Sequence, residues 1–260
     1  MTKERSWYTT KYSMIIKTVK TDKIRLNSHT INNVIDASVS SLQEKSILVV
    51  TSKIISLCEG RAVKIGDAEK SDLVIQESQQ YLPPELSPQR ITLTIANNLL
   101  VPTAGIDESN GNGYYVLWPE NPQQSAREIR EYVTEKFQLQ HVGVIITDSR
   151  TTPMRWGTSG VALSYAGFSG LNDFIGSPDL FGRNMEVTMV NVADGLAAAA
   201  VVCMGESNEQ TPIAIITDTP FVTFDAQKPT DKELEVWKIP VDIDLYGPIL
   251  SRAPWKKGEK

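Results

Sequence analysis

Histidine and cysteine are nearly absent from this chain. His29 and His141 are its only histidines, Cys58 and Cys203 its only cysteines, and no Cys-x-x-Cys occurs. That argues against a Cys/His zinc site and against a disulfide framework, and it suits a reducing cytoplasm. Long apolar runs are missing as well. The longest, 196–204, is about half of the roughly 20 residues that span a membrane. Residues 1–11 are charged and carry no apolar stretch, so no signal peptide is expected. Positive charge is not in excess: 26 Lys and Arg against 31 Asp and Glu give a net charge of −5, which argues against a nucleic-acid partner. Two common phosphate-binding signatures, G-x-x-x-x-G-K-[ST] and a G-x-G-x-x-G following a strand, do not occur. A nucleotide site in this chain must be of another kind.

What is present is an ordinary globular composition. The 260 residues are 41% hydrophobic and 22% charged, enough for a substantial core in one large domain or two small ones. Segments 12–19, 46–52, 90–95, 142–147, 161–166, 185–190 and 213–216 read as strands, from β-branched runs or from alternation. Segment 30–42 reads as a helix with Thr30 as N-cap, and 68–81 as a helix stopped by Pro83-Pro84. Segment 122–137 is an amphipathic helix with Pro122 near its first position. Segment 191–204 is apolar almost all round, hence a buried helix, and Gly205 can cap it. The strands between 142 and 190 follow one another without a helix. That predicts an α+β fold of mixed or antiparallel sheets with packed helices. The expected layout is a catalytic region over 12–250, with room for a sub-boundary near 83–88, between flexible termini at 1–11 and 251–260.

Three dispersed acidic motifs do not read as packing. They are Ala104-Gly105-Ile106-Asp107-Glu108-Ser109-Asn110, Ile145-Ile146-Thr147-Asp148-Ser149 and Met204-Gly205-Glu206. Each puts an oxygen-bearing side chain where an apolar run must end. Hard cations such as Mg²⁺ or Mn²⁺ take that kind of ligand, gathered from several element ends. Asp107 and Asp148 are therefore candidate metal ligands with catalytic roles, Asp148 because the end of a buried strand fixes its position. Ser149 offers a hydroxyl and Glu206 a further acid. Ser52, Lys53 and Asn110 are the candidates for nucleotide phosphate contacts. Arg155 is the candidate for bidentate hold on a phosphate or carboxylate. Each also has a plain structural reading: a Gly/Asn turn around Asp107, an Asx cap at Asp148, a solvated loop acid at Glu206, surface cations at Lys53 and Arg155.

In chain order, several segments together resemble the coenzyme F420-0:γ-glutamyl ligase family. They are Val49-Val50-Thr51-Ser52-Lys53-Ile54-Ile55-Ser56, Glu59-Gly60-Arg61, the Asp107 motif, and Val142-Gly143-Val144 running into the Asp148 motif. Asp179-Leu180-Phe181-Gly182-Arg183 follows, then Val192-Ala193-Asp194 running to Glu206. The resemblance implies a homodimeric α+β ligase with two divalent metals. Such an enzyme spends GTP or ATP to join L-glutamate to a substrate carboxylate through an acyl phosphate. It implies metal binding by Asp107 and Asp148, with Ser149 and Glu206 serving the second metal, and nucleotide contacts from Ser52 and Asn110. Two positions depart from the family pattern. Leu57 stands where some deazaflavin-type ligases carry a lysine. Arg150-Thr151-Thr152-Pro153-Met154-Arg155 replaces the usual Gly-Arg-Pro after the second acid. That variant, with Asn110-Gly111-Asn112-Gly113-Tyr114-Tyr115 and Asp194-Gly195-Leu196, is similar to a bacterial branch described as folate-metabolism γ-glutamate ligases. The expected acceptor is a folate, with F420-0 as the alternative. Outside this reading stand a metal-dependent phosphohydrolase and a nucleotide-binding regulatory protein with a degenerate site.

Overall fold

The computed structural model describes residues 13–260. In chain order the elements are β1 (Ile15–Val19), α1 (Ile31–Ser38), β2 (Ile47–Thr51), α2 (Ser52–Glu59), β3 (Ala62–Lys64), α3 (Lys70–Gln76), β4 (Gln80–Leu82), β5 (Leu93–Ala96), β6 (Leu99–Pro102) and β7 (Tyr114–Val116). They continue with α4 (Pro122–Phe137), β8 (Gly143–Thr151), β9 (Thr158–Ala166), β10 (Leu171–Asp173), β11 (Met189–Asn191), α5 (Val192–Met204), β12 (Ile213–Thr217), α6 (Asp231–Trp237), α7 (Gly247–Leu250) and β13 (Lys256–Lys257). The fold is α+β with mixed and antiparallel sheets, as expected.

The central sheet runs β1-β12-β2-β8-β9. Only β2 and β8 are parallel; the other neighbours are antiparallel. β2 shows why this sheet sits in the middle. Ile47, Leu48, Val49 and Val50 are all fully buried, so the strand reads as one apolar run rather than an alternation. Leu48 and Val50 face a core shared with Val34 and Ile35 of α1, Ile54 and Ile55 of α2, and Ile129 and Val133 of α4. Ile47 and Val49 face the opposite core, built with Ala193, Leu196, Ala197 and Ala200 of α5. Burying each of these large aliphatic side chains contributes about 1.5–3 kcal/mol before the entropy of ordering is subtracted. The small residues of α5 let it lie close to the sheet. A Cβ at Gly160 of β9 would fall 2.5 Å from the Ala197 carbonyl oxygen, so helix and strand touch at backbone distance.

Helix ends follow local chemistry. Thr30 caps α1 through a reciprocal box with Asn33. Asn121 caps α4, with Pro122 at its first position, where its missing N–H is harmless. Asn191 caps α5 by accepting from the Asp194 amide. A second, four-stranded sheet, β13-β4-β5-β6, and the antiparallel β3-β7 pair lie outside the central layers. α3 closes a small core there with Leu73, Val74, Ile106 and Leu117.

Several expectations need correction. The helix expected over 68–81 is only Lys70–Gln76, because 80–82 pairs with β5 and with β13 instead. The stretch 83–88 joins two hydrogen-bonded strands of one sheet. The tail at 251–260 is not loose: Lys256 and Lys257 pair with β4, and Lys260 Nζ bonds Glu77 at 2.7 Å. The helix at Ser52–Glu59 was not foreseen, and the strand expected at 185–190 is reduced to Met189–Asn191. The N-terminal segment 1–11 and the start of the first expected strand at Tyr12 lie outside the described residues. Among the described residues, no helix is long and apolar enough to cross a membrane.

Candidate active site

Because β2 and β8 are parallel, their carboxyl ends emerge side by side, with Thr51 opposite Thr147. Ligands of open sheets gather at that edge. β2 hands over directly to α2, so Lys53 sits in the first turn of a helix. β8 continues, but its pairing with β9 slips between Ile146 and Thr147. Such a bulge re-aims the side chains that follow it, here Asp148 and Ser149. Asp107 arrives from the far side on a tight turn. Thr103, Ala104 and Gly105 all have positive φ (52°, 50° and 72°), a conformation that costs a non-glycine residue about 1–2 kcal/mol. Main-chain bonds between Asp107 and Val116 hold the turn in place, at 3.1 and 2.8 Å. Glu206 follows α5, where Gly205 (φ 83°, ψ 165°) ends the helix and turns the chain.

These ends surround a cavity of about 740 Å³. Lys53, Asp107, Asn110, Asp148, Ser149 and Glu206 all line it, together with 21–25 and 204–212. Lys53 Nζ donates to Asp107 Oδ2 at 2.6 Å and to the Ser109 carbonyl at 2.8 Å. Asp107 also accepts from the Ser109 amide and hydroxyl, at 2.8 and 2.9 Å. Burial raises the Asp107 carboxyl, but Lys53 and the Ser109 bonds outweigh it and hold the group below its ordinary pKa. Asp148 differs. Burial dominates and pushes it up to about 6, against bonds from the Trp118 indole and the Ser149 amide and the charge of Lys53, with Asp107 adding repulsion. Ser149 Oγ donates to Glu206 Oε1 at 2.5 Å. Asn110 Nδ2 reaches the Ser207 carbonyl at 2.8 Å and ties two walls of the cavity together.

The donor chemistry fits a hard divalent cation. Every side-chain polar atom that Asp107, Asp148, Ser149 and Glu206 offer is oxygen, and Asp148 is a desolvated carboxyl that makes no ion pair among the described residues. Yet among the described residues no three Asp, Glu, His or Cys side chains are grouped closely enough to hold an ion. An ion here would complete its shell with hydroxyl, water or substrate oxygens, the usual habit of Mg²⁺.

A family profile described as F420-0:Gamma-glutamyl ligase matches residues 18–218, most of the chain. The chain belongs to that family. It is therefore an enzyme of the amide-forming ligase class. A coenzyme F420:L-glutamate ligase of Methanococcus maripaludis is 34% identical over 244 residues, covering 85% of this chain and 96% of the relative. Enzymes of the same name from Methanopyrus kandleri and Archaeoglobus fulgidus are 32% and 35% identical. Their alignments cover 69% and 67% of this chain and 77% and 76% of the relatives, respectively.

Of the residues singled out in the sequence, the fold gathers Lys53, Asp107, Asn110, Asp148, Ser149 and Glu206 around one space. Ser52 is buried at the start of α2 and is not part of the cavity wall, which passes from Thr51 to Lys53. Arg155 is not brought in at all. It is exposed on the loop joining β8 and β9, where its guanidinium makes a 3.4 Å contact to the Met154 carbonyl. Leu57, the family departure, lines the cavity. Sequence reasoning missed Trp118 and the wall segments 21–25 and 207–212. A tryptophan after a short strand reads as core, and the two segments have no motif of their own.

Proposed function

We propose that this ligase adds L-glutamate to the carboxylate of a reduced folate, through an acyl phosphate formed at the expense of GTP or ATP. The observation that carries the reading is the single cavity at the carboxyl ends of β2 and β8, walled by Lys53, Asp107, Asp148, Ser149 and Glu206. Asp107, Asp148, Ser149 and Glu206 are the residues that would hold Mg²⁺ or Mn²⁺, two ions by family resemblance. A bound divalent cation neutralises phosphate oxygens and favours phosphoryl transfer. Lys53 supplies positive charge at the same wall and keeps Asp107 ionised. In the proposed reaction an acceptor carboxylate oxygen attacks the γ-phosphorus, whose bond to the departing nucleoside diphosphate breaks. The glutamate amine then attacks the carbonyl carbon of the acyl phosphate, loses a proton to solvent and expels phosphate. The Asn110–Ser207 bond ties two walls of the cavity together, at a site where water must be kept from the acyl phosphate.

The folate assignment rests on the Arg150–Arg155 variant beside Asp148-Ser149. The relatives' names favour the second reading, in which F420-0 is the acceptor. A homodimer in the cytoplasm completes the proposal. Met154, Trp156, Leu180 and Phe181 are each more than nine-tenths exposed, and burial of such side chains against a second copy would favour the dimer. Parallel reactions with each acceptor, each nucleotide, glutamate and Mg²⁺ or Mn²⁺, weighed by mass spectrometry, test the proposal. A folate product one glutamate heavier is expected. An F420-0 product with no folate product would transfer the assignment to the second reading.

A further inference from the structure

Trp118 follows β7 and is buried, 7% exposed, in the core between the sheet and helices α2 and α4. It does not line the cavity. Its indole Nε1–H nevertheless donates to Asp148 Oδ2, so it reaches this cavity-lining acid from the protein interior. The same ring lies against the turn that carries Asp107. A Cβ at Gly105 would fall 2.1 Å from Cε2 and 2.2 Å from Nε1 of Trp118. Only a glycine admits this approach, and its φ of +72° suits only glycine comfortably. One side chain thus touches both acid-bearing segments, by a hydrogen bond on one side and by backbone-distance packing on the other.

Its main chain is itself clamped. Arg61 Nε donates to the Trp118 carbonyl at 3.1 Å, and the Arg61 guanidinium bonds Glu77 at 2.7 Å. The indole N–H is a donor only, uncharged and unable to ligate metal. It can occupy a lone pair on one oxygen of Asp148 without competing for a cation. We propose that Trp118 is the positioning residue of this site, setting the orientation of Asp148 and its spacing from Asp107. The proposal rests on the metal-binding reading of those two acids. Outer hydrogen bonds to ligating carboxylates commonly carry 10–100-fold in metal affinity.

The test uses the full chain. Mn²⁺ binding is followed by electron paramagnetic resonance in wild type and in Trp118→Phe, which removes the N–H but keeps an aromatic ring. Binding about 10–100-fold weaker is expected. The indole N–H signals of ¹⁵N-labelled protein provide the second readout, with the Trp118 signal assigned by its loss in Trp118→Phe. That signal should move on Mg²⁺ addition and in Asp148→Asn, while that of exposed Trp156 stays put. A merely structural tryptophan would show neither response. Wild-type affinity in Trp118→Phe together with an unmoved indole signal overturns the proposal and leaves the ligase reading intact. Failure of wild type itself to bind Mn²⁺ overturns the metal reading and this proposal with it.

Discussion

Replacing Asp148 by asparagine should stabilise the metal-free protein while abolishing turnover. The carboxyl pKa is raised from 3.8 to about 6, chiefly by burial. Two units correspond to about 3 kcal/mol of preference for the neutral form in the native state. Because the native pKa lies above the unfolded one, the native state binds more protons between these values. The contribution of this group to stability is therefore fully present below pH 3.8 and is lost as pH rises through 6. At pH 7.5 the wild type carries the whole penalty and the asparagine variant none. Two corrections reduce the gain. Asp148 is partly open to the cavity, where water screens the charge, and an asparagine amide facing the Ser149 N–H, now 2.8 Å from Oδ1, forfeits about 1 kcal/mol. A net gain of about 1–2 kcal/mol remains. An unfolding entropy of about 2.1 cal/mol/K per residue gives roughly 2–4 °C for a chain of this length. Thermal melts in chelator at pH 7.5 and pH 4 measure it. An Asp148→Asn variant that melts no higher than wild type at pH 7.5, or whose advantage survives at pH 4, would refute the electrostatic reasoning.

Asp107→Ala should lose turnover with its fold retained, because the side chain faces the cavity and the turn is held by main-chain bonds; near wild-type activity at saturating metal would remove Asp107 from the mechanism. Burial raises the Glu77 pKa, but hydrogen bonds from Lys260 and Arg61 outweigh it and depress the group. Its contribution is thus present at neutral pH and lost as pH falls through the depressed value. Glu77→Gln should cost about 2 kcal/mol at pH 7 and flatten the acid limb of denaturant-measured stability, and an unchanged acid limb would contradict this. Sedimentation at micromolar concentration should show twice the monomer mass, shifting towards monomer when Trp156 and Phe181 are both changed to serine. A fully active wild-type monomer would refute the dimer.

Much of this molecule was legible where neighbouring residues decide the outcome. β2, α4 and α5 follow from an apolar run, a proline-led amphipathic stripe and an all-apolar helix, and each appears within a residue or two of its expected bounds. β4 was not legible, because Gln80–Leu82 continues a helical pattern and becomes a strand only through β5 and the distant β13. The start of α2 was hidden because Ser52 abuts the apolar strand and its N-cap, Thr51, makes no side-chain cap bond. α6 has a local signal, the Thr230–Glu233 capping box, set among prolines that weaken the helical pattern around it. In the site, Asp107, Asp148 and Glu206 stood out because each ends an apolar run. Trp118 did not, since nothing local distinguishes a core indole from one that holds a carboxylate. The position of Arg155 was not legible either, because the direction in which the β8–β9 hairpin points is set by the tertiary fold.

The central claim is that the cavity activates a carboxylate by phosphoryl transfer and then forms an amide. An acceptor labelled with oxygen-18 in its carboxylate tests it most directly, with nucleotide, Mg²⁺ or Mn²⁺ and glutamate present. Formation of the γ-glutamyl amide should be matched by released inorganic phosphate carrying one labelled oxygen. Unlabelled phosphate, or phosphate released without any amide, would contradict it.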